Sequence, residues 1–324
     1  MTGVVLVSAA LAAAAVLSAY RADLREALDR VEGRSAVVQT ACGPIEYAEA
    51  GEGPAVLVVH GAGGGFDQGL LLAEELAPRG FRVVSMSRFG FLRTPLPEDA
   101  SIEAQADAHA CLMDALGIGQ AAFIGASAGA TSSAQMAIRQ PDRVTALVLL
   151  VPALYAPRPD GAPSIHVPRD TQWLLDRALS SDFIAWAAIR SMPGRVTESL
   201  QATPLVVVER ADPAEQARVA RMRTLVLPVS RRREGMLNDA SLLPVIPPYP
   251  LERIRAPTLA ISARDDLFGT LDSARHSVER IPGARLLELP DGGHLWVGHH
   301  ERVVRTMAEF LQAHGGSEAA SRTR

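Results

Sequence analysis

Residues 55–59, Ala-Val-Leu-Val-Val, are apolar without a break and run straight into His60-Gly61-Ala62-Gly63-Gly64-Gly65. A strand with one wet face alternates apolar and polar residues. A continuous run belongs to a strand covered on both faces, the usual condition in a parallel sheet. Comparable segments recur at 82–86, 121–125, 144–151, 258–262 and 284–289, with helical patterns between them at 69–76, 101–116, 128–139, 271–281 and 301–313. This alternation predicts an α/β fold with a mostly parallel sheet and helices on both faces. Residues 37–42 and 45–50 flank Gly43-Pro44 as an opening hairpin, which brings the expected sheet to eight strands.

The alternation breaks once. Between residues 152 and 250 the chain is rich in Pro and Arg, with helical stretches at 171–190 and 213–227 and one strand-like run at 205–208. A single core, residues 36–153 and 251–314, is therefore expected to carry an inserted helical cap, residues 154–250. A linker helix is expected at 21–35, and the polar tail 315–324 is expected to be disordered. For 324 residues, a prior of about two domains is met by core plus cap. Hydrophobic residues make up 48% of the chain, which excludes intrinsic disorder, and 26 Gly and 22 Pro without a period exclude a collagen-like chain. The net charge of −4, with no basic cluster in the core, gives no reason to expect a nucleic-acid partner.

Residues 3–20 carry no charge, and only Ser8 and Ser18 among them are polar. At 1.5 Å per residue they reach about 27 Å, close to the ~30 Å hydrocarbon core. A secretory signal would bring a basic leading segment and a small-residue cleavage site, and neither is evident. A soluble domain rarely starts on a helix that is apolar all round. The expectation is a single membrane anchor over residues 1–20. Arg21, Arg25, Arg30 and Arg34 follow it, so the positive-inside rule places the body in the cytoplasm. Cys42 and Cys111 have no metal-ligand or framework spacing, and buried free thiols are expected.

Gly125-Ala126-Ser127-Ala128-Gly129 is a G-x-S-x-G between a strand and a helix of small residues. Glycines at 125 and 129 let a tight strand–turn–helix present Ser127 in a strained conformation, as a nucleophile requires. Acyl transfer also needs amides aimed at the developing oxyanion. The glycine-rich loop after residue 59 supplies one from Ala62, and the residue after the nucleophile, Ala128, supplies the other. A phosphate-cradling reading fails, because Phe66 and Gln68 stand where G-x-G-x-x-G would need glycine. His60, at a strand end, is read as structural.

A serine nucleophile needs a base and an orienting acid. Of eight histidines, only His294, in Asp291-Gly292-Gly293-His294, sits on a glycine-rich loop after the last strand. Asp265 and Asp266 follow the strand at 258–262 and are both candidates for the acid, the other being read as a solvated turn residue. The order serine, acid, histidine is that of α/β-hydrolases.

On these four motifs the chain, over residues 37–313, resembles the α/β-hydrolase superfamily, in its branch with a helical cap after the sixth strand. In that family the acid stands in a D-x-x-x-P turn; Asp266 takes the place of the Asp and Thr270 that of the proline, so Asp266 is preferred over Asp265. The resemblance implies a cofactor-free, metal-free serine esterase acting on a small apolar ester. Ring-cleavage C–C hydrolases are the rival. They place Asn before the serine and Trp directly after the histidine, where this chain has Ala126 and Leu295, with Trp296 one position late. Trp173, Phe183 and Trp186 offer the cap an apolar acyl or alcohol site, or serve ordinary helix packing. A non-catalytic small-molecule binder on the same fold is the reading from another class; such proteins often lose a triad member, and all three candidates are present. Oligomeric state is left open.

Overall fold

The computed structural model describes residues 2–157, 177 and 179–315. His166, Trp173, the start of the helix expected at 171–190 and the tail beyond residue 315 lie outside the described residues. The sheet has eight strands: β1 (Ala36–Thr40), β2 (Gly43–Ala50), β3 (Ala55–Val59), β4 (Arg82–Met86), β5 (Ala121–Ala126), β6 (Val144–Leu150), β7 (Thr258–Ala263) and β8 (Arg285–Leu289). Their order is β1-β2-β4-β3-β5-β6-β7-β8. The pairs β1–β2 and β2–β4 are antiparallel and the remaining pairs parallel. The architecture is the expected one, a mostly parallel eight-stranded sheet with helices on both faces.

Core helices are α2 (Phe66–Leu72), α3 (Ile102–Ala115) and α4 (Gly129–Arg139), followed near the C-terminus by two more described below. Ser101 starts α3, its hydroxyl accepting the Ala104 N–H at 3.2 Å, which satisfies one of the free amides of a first turn. Side chains of the central strands alternate between two cores. Leu57 and Val59 of β3 pack with Leu112 and Met113 of α3 and with Ala134 and Met136 of α4. Val56 and Val58 face the other way, in one core with Val303, Met307 and Leu311.

Cap helices lie between β6 and β7: α5 (Asp182–Ser191), α6 (Pro193–Leu200), α7 (Leu205–Arg210), α8 (Pro213–Thr224) and α9 (Arg233–Leu242). The run at 205–208, with three valines in succession, suggested a strand. It forms part of α7 instead: its chain turns back at once, Val207 N–H bonding to Pro204 O at 3.1 Å, and Val206 is exposed. After the cap come α10 (Thr270–Arg280) and α11 (His300–His314).

Two further expectations are corrected. Residues 1–20 and a separate linker helix are one continuous helix, α1 (Thr2–Val31), since no proline or glycine interrupts residues 4–31. Its last turns dock on the body: Ala27 and Val31 are buried, and Arg30 pairs with Asp67 at 3.2 Å. Cys42 and Cys111 are not free; they form a disulfide across a separation of 69 residues, joining the β1–β2 turn to α3.

Candidate active site

Ser127 follows β5 with φ of 49°, a left-handed conformation costly for a residue with a side chain. Backbone bonds hold it there. Its N–H donates to Leu150 O at 2.8 Å, and its carbonyl accepts from Ala130 and Ala153 N–H at 3.0 and 3.1 Å. The flanking glycines are steric requirements. A Cβ on Gly125 would lie 2.7 Å from the Ala130 Cα, and one on Gly129 would fall on the carbonyl oxygens of Val59 and His60.

The loops after β7 and β8 bring Asp266 and His294 together. Asp266 Oδ2 lies 2.8 Å from His294 Nδ1, and both side chains are buried. Asp266 is held in turn: Oδ1 accepts the Phe268 N–H at 2.9 Å, and Oδ2 accepts the Thr270 hydroxyl. Thr270, at the family's proline position, thus acts as a donor, itself 2.9 Å from the Ser262 hydroxyl. Asp265 is no solvated turn residue. Its carboxylate accepts the N–H groups of Gly293 at 2.8 Å and Gly292 at 3.3 Å, tying the histidine loop to the acid loop. The Phe268 ring stands edge-on to the His294 imidazole, centroids 5.1 Å apart.

The loop of residues 60–65 is braced from behind. His60 Nε2 accepts the Arg88 N–H at 3.0 Å, which leaves Nδ1 to donate to Gly61 O at 2.7 Å. Burial first, and the Arg88 charge second, hold the His60 pKa well below its ordinary value, so the ring stays neutral. Arg88 also donates to Gly61 O at 3.2 Å and forms a buried two-pronged pair with Asp239 of α9, at 2.6 and 2.7 Å. A trans peptide carries its N–H opposite its C=O. With Gly61 O engaged by His60 and Arg88, the Ala62 N–H faces away from them, and with Ser127 O engaged by Ala130 and Ala153 the Ala128 N–H is likewise turned. Ala62 and Ser127 both line the cavity described next.

That cavity, of about 220 Å³, lies between core and cap. The core contributes Gly61, Ala62, Ser127, Phe268 and His294; the cap contributes an apolar wall of Val196, Leu200, Met222, Val226, Met236 and Leu243. Arg223 and Gln201 add polarity to the same lining. Arg223 Nη1 donates to Thr197 Oγ1 at 3.0 Å, while its buried Nε and the Gln201 Oε1 have no partner among the described residues. Burial lowers the Arg223 pKa.

Cap residues also brace the loops, which nothing in the sequence pattern announced. Ala202, buried with φ of 43°, accepts at its carbonyl the N–H groups of Leu267 at 3.0 Å and His294 at 3.3 Å, one on each loop. The Thr203 hydroxyl accepts the Leu295 N–H at 3.2 Å. Arg232, fully buried, donates to Gly64 O at 2.5 Å and pairs with Asp67 at 2.8 Å. Among the described residues no cluster of three His, Cys, Asp or Glu could hold a metal ion.

Residues 54–298 match the family model for the alpha/beta hydrolase fold. Over 286 residues, 83% of this chain and 91% of the relative, the chain is 28% identical to a 2-hydroxy-6-oxononadienedioate/2-hydroxy-6-oxononatrienedioate hydrolase of Burkholderia vietnamiensis. An alpha/beta hydrolase fold protein from Nakamurella multipartita superposes with a TM-score of 0.66 at 30% identity, covering 86% of this chain and 99% of its own. An enol-lactonase from Burkholderia xenovorans shares the fold with a TM-score of 0.65 at 22% identity, over 86% of this chain and 100% of its own.

Proposed function

This chain belongs to the alpha/beta hydrolase fold family, and from that premise we propose that it is a serine hydrolase cleaving small, apolar carboxylic esters through an acyl-enzyme. The observation that carries this reading is the 2.8 Å bond from His294 Nδ1 to Asp266, on loops that line one cavity with the strained turn of Ser127. With Nδ1–H donating to Asp266, Nε2 is the basic nitrogen. Ser127 Oγ attacks the ester carbonyl as Nε2 takes its proton. The tetrahedral oxyanion is held by the amides of Ala62 and Ala128, and on its collapse the alcohol leaves with the proton from His294. Water repeats the sequence on the acyl-enzyme and releases the acid. Nitrophenyl esters of graded acyl length test this. Turnover of short esters, falling as the acyl chain outgrows about 220 Å³, is expected; a folded protein that turns over none of them overturns the ester reading.

A second reading is favoured by Arg223. Arg223 lines this mostly apolar cavity, and a guanidinium there suits a substrate carboxylate; the Burkholderia vietnamiensis relative is named for a dioate substrate. The same serine chemistry would then cleave a C–C bond beside a ketone. Ala126 and Leu295, where ring-cleavage hydrolases place Asn and Trp, argue against it. Turnover of a ring-cleavage dienone without ester hydrolysis would reverse the ranking.

We further infer that α1 anchors the protein in a membrane. It is the single described helix long and apolar enough to cross one, and its apolar window is not buried. The disulfide favours an oxidising compartment for the body, opposite to the side that Arg21, Arg25, Arg30 and Arg34 predict. Fractionation before and after deletion of residues 1–20 tests the anchor: full-length protein found only in the soluble fraction refutes it.

A further inference from the structure

The apolar part of α1 leaves the body at a fixed place. Residues 4–18 are exposed on every side of the helix, and cover begins at Ala19 and Tyr20. What covers it is the start of α5. The Tyr20 ring meets Phe183 edge-on with centroids 5.1 Å apart and Trp186 at 5.5 Å. Trp186 Nε1 donates to Asp23 at 2.7 Å, and Arg190 lies 3.5 Å from the same carboxylate. Ring contacts, a part-buried indole bond and an ion pair therefore fix the exit direction, rather than a flexible linker. At this collar, Phe183 and Ile184 are 41% and 43% exposed.

The apolar stretch brings a bilayer to the collar. From Thr2 to Tyr20, α1 rises about 28 Å at 1.5 Å per residue, close to the ~30 Å hydrocarbon core. A bilayer that covers this part of the helix therefore reaches the collar. Aromatic rings favour the headgroup boundary, and an exposed apolar patch continuous with a membrane span gains by entering it.

We propose that Phe183 and Ile184 of α5, with Tyr20, form a bilayer seat: the cap rests on the lipid surface at the headgroup–acyl boundary while α1 crosses the membrane. This goes beyond the hydrolase reading and rests on α1 being an anchor. The lipid-facing side is joined to the active-site wall by a short length of chain: α5 runs on through Met192, itself 46% exposed, into α6, whose Val196 and Leu200 line the cavity.

Single-cysteine labelling tests the seat, since both native cysteines are paired. Val7→Cys, Ile184→Cys and Val245→Cys variants of the full chain, each carrying an environment-sensitive fluorophore, are reconstituted into phosphatidylcholine vesicles containing shallow spin-labelled lipid. Val245, 70% exposed outside the collar, is the aqueous reference. The expected result is blue-shifted, quenched emission at positions 7 and 184 and unquenched, water-like emission at 245. Quenching at 7 with emission at 184 matching 245 overturns the seat and leaves the anchor standing. No quenching at 7 overturns the anchor, and the seat with it. Ester turnover by each labelled variant at the wild-type rate confirms the fold and is independent of either result.

Discussion

In the core, β5 and β7, which lead into Ser127 and Asp266, are buried at every residue, whereas the cap reaches the same cavity on helices of 8 to 12 residues. Core geometry is set by backbone ladders and by contacts so close that only glycine fits, as at Gly125 and Gly129. The cap touches the working loops through a handful of polar contacts: Ala202 O, Thr203 Oγ1, Asp239 and Arg232. The contrast teaches a division of labour. The groups proposed to react sit where the sheet leaves them little freedom, and the cap supplies an apolar wall together with contacts that brace their loops.

The largest effect separates the two regions outright. Ser127→Ala should lower kcat by about 10³-fold or more with an unchanged circular dichroism spectrum. Leu200→Ala in the cap wall should instead shift the preferred acyl length and change kcat for the best ester by less than about tenfold. A cap variant as damaging to kcat as Ser127→Ala would break the division.

Next come the two adjacent carboxylates. Asp266→Asn should cost about 10²- to 10⁴-fold in kcat, because the wrong imidazole tautomer is then favoured. Asp265→Asn keeps one acceptor oxygen, enough for the Gly293 amide at 2.8 Å but not for that of Gly292 as well, and should cost about tenfold or less. Steady-state kinetics on one ester rank the pair; the reverse order would contradict the assignment of Asp266 as the acid.

Braces should show in stability more than in chemistry. Asp239→Asn leaves the buried Arg88 guanidinium facing a neutral amide and should cost about 3–5 kcal/mol by urea unfolding, while Thr203→Val, which strands the Leu295 N–H, should cost about 1–3 kcal/mol. Opening the disulfide belongs with these: a loop closed across 69 residues is worth about 4 kcal/mol in the chain-entropy account, to be read from unfolding with and without reductant.

Smallest per step is a pH effect confined to the core. Burial, and secondarily the Arg88 charge, push the His109 pKa from 6.5 down to about 3; its ring lies 2.9 Å from the Ser132 hydroxyl. The unfolded chain therefore binds a proton that the folded chain refuses. Stability from this group is complete above pH 6.5 and falls as the pH drops towards about 3, by up to about 1.4 kcal/mol per unit. Urea midpoints between pH 7 and 5 should show a flatter curve for His109→Gln than for the wild type.

Much of the core was legible in the sequence for the reason that makes it rigid. Strands buried on both faces have to be apolar throughout, so residues 55–59 and 121–125 announce themselves, and a parallel sheet brings the residues after such strands to one edge, where Ser127, Asp266 and His294 are found. The cap was less legible because its helices are short and one-sided; three valines after Pro204 read as a strand until no partner strand came. The Cys42–Cys111 pair had no spacing to betray it. Asp265 looked like any turn aspartate because the amides it accepts come from a loop 27 and 28 positions away. Ala202 and Arg232 act through a backbone carbonyl and a buried pair, neither of which leaves a motif.

The central claim, that Ser127 is the nucleophile activated by the His294–Asp266 pair, is tested most directly by reacting the full-length protein with a fluorophosphonate and mapping the adduct by peptide mass spectrometry. The account predicts one adduct, on Ser127, absent from Ser127→Ala and slowed at least about 10²-fold in His294→Ala. Correctly folded wild type that takes no label, or takes it on another residue, would contradict it.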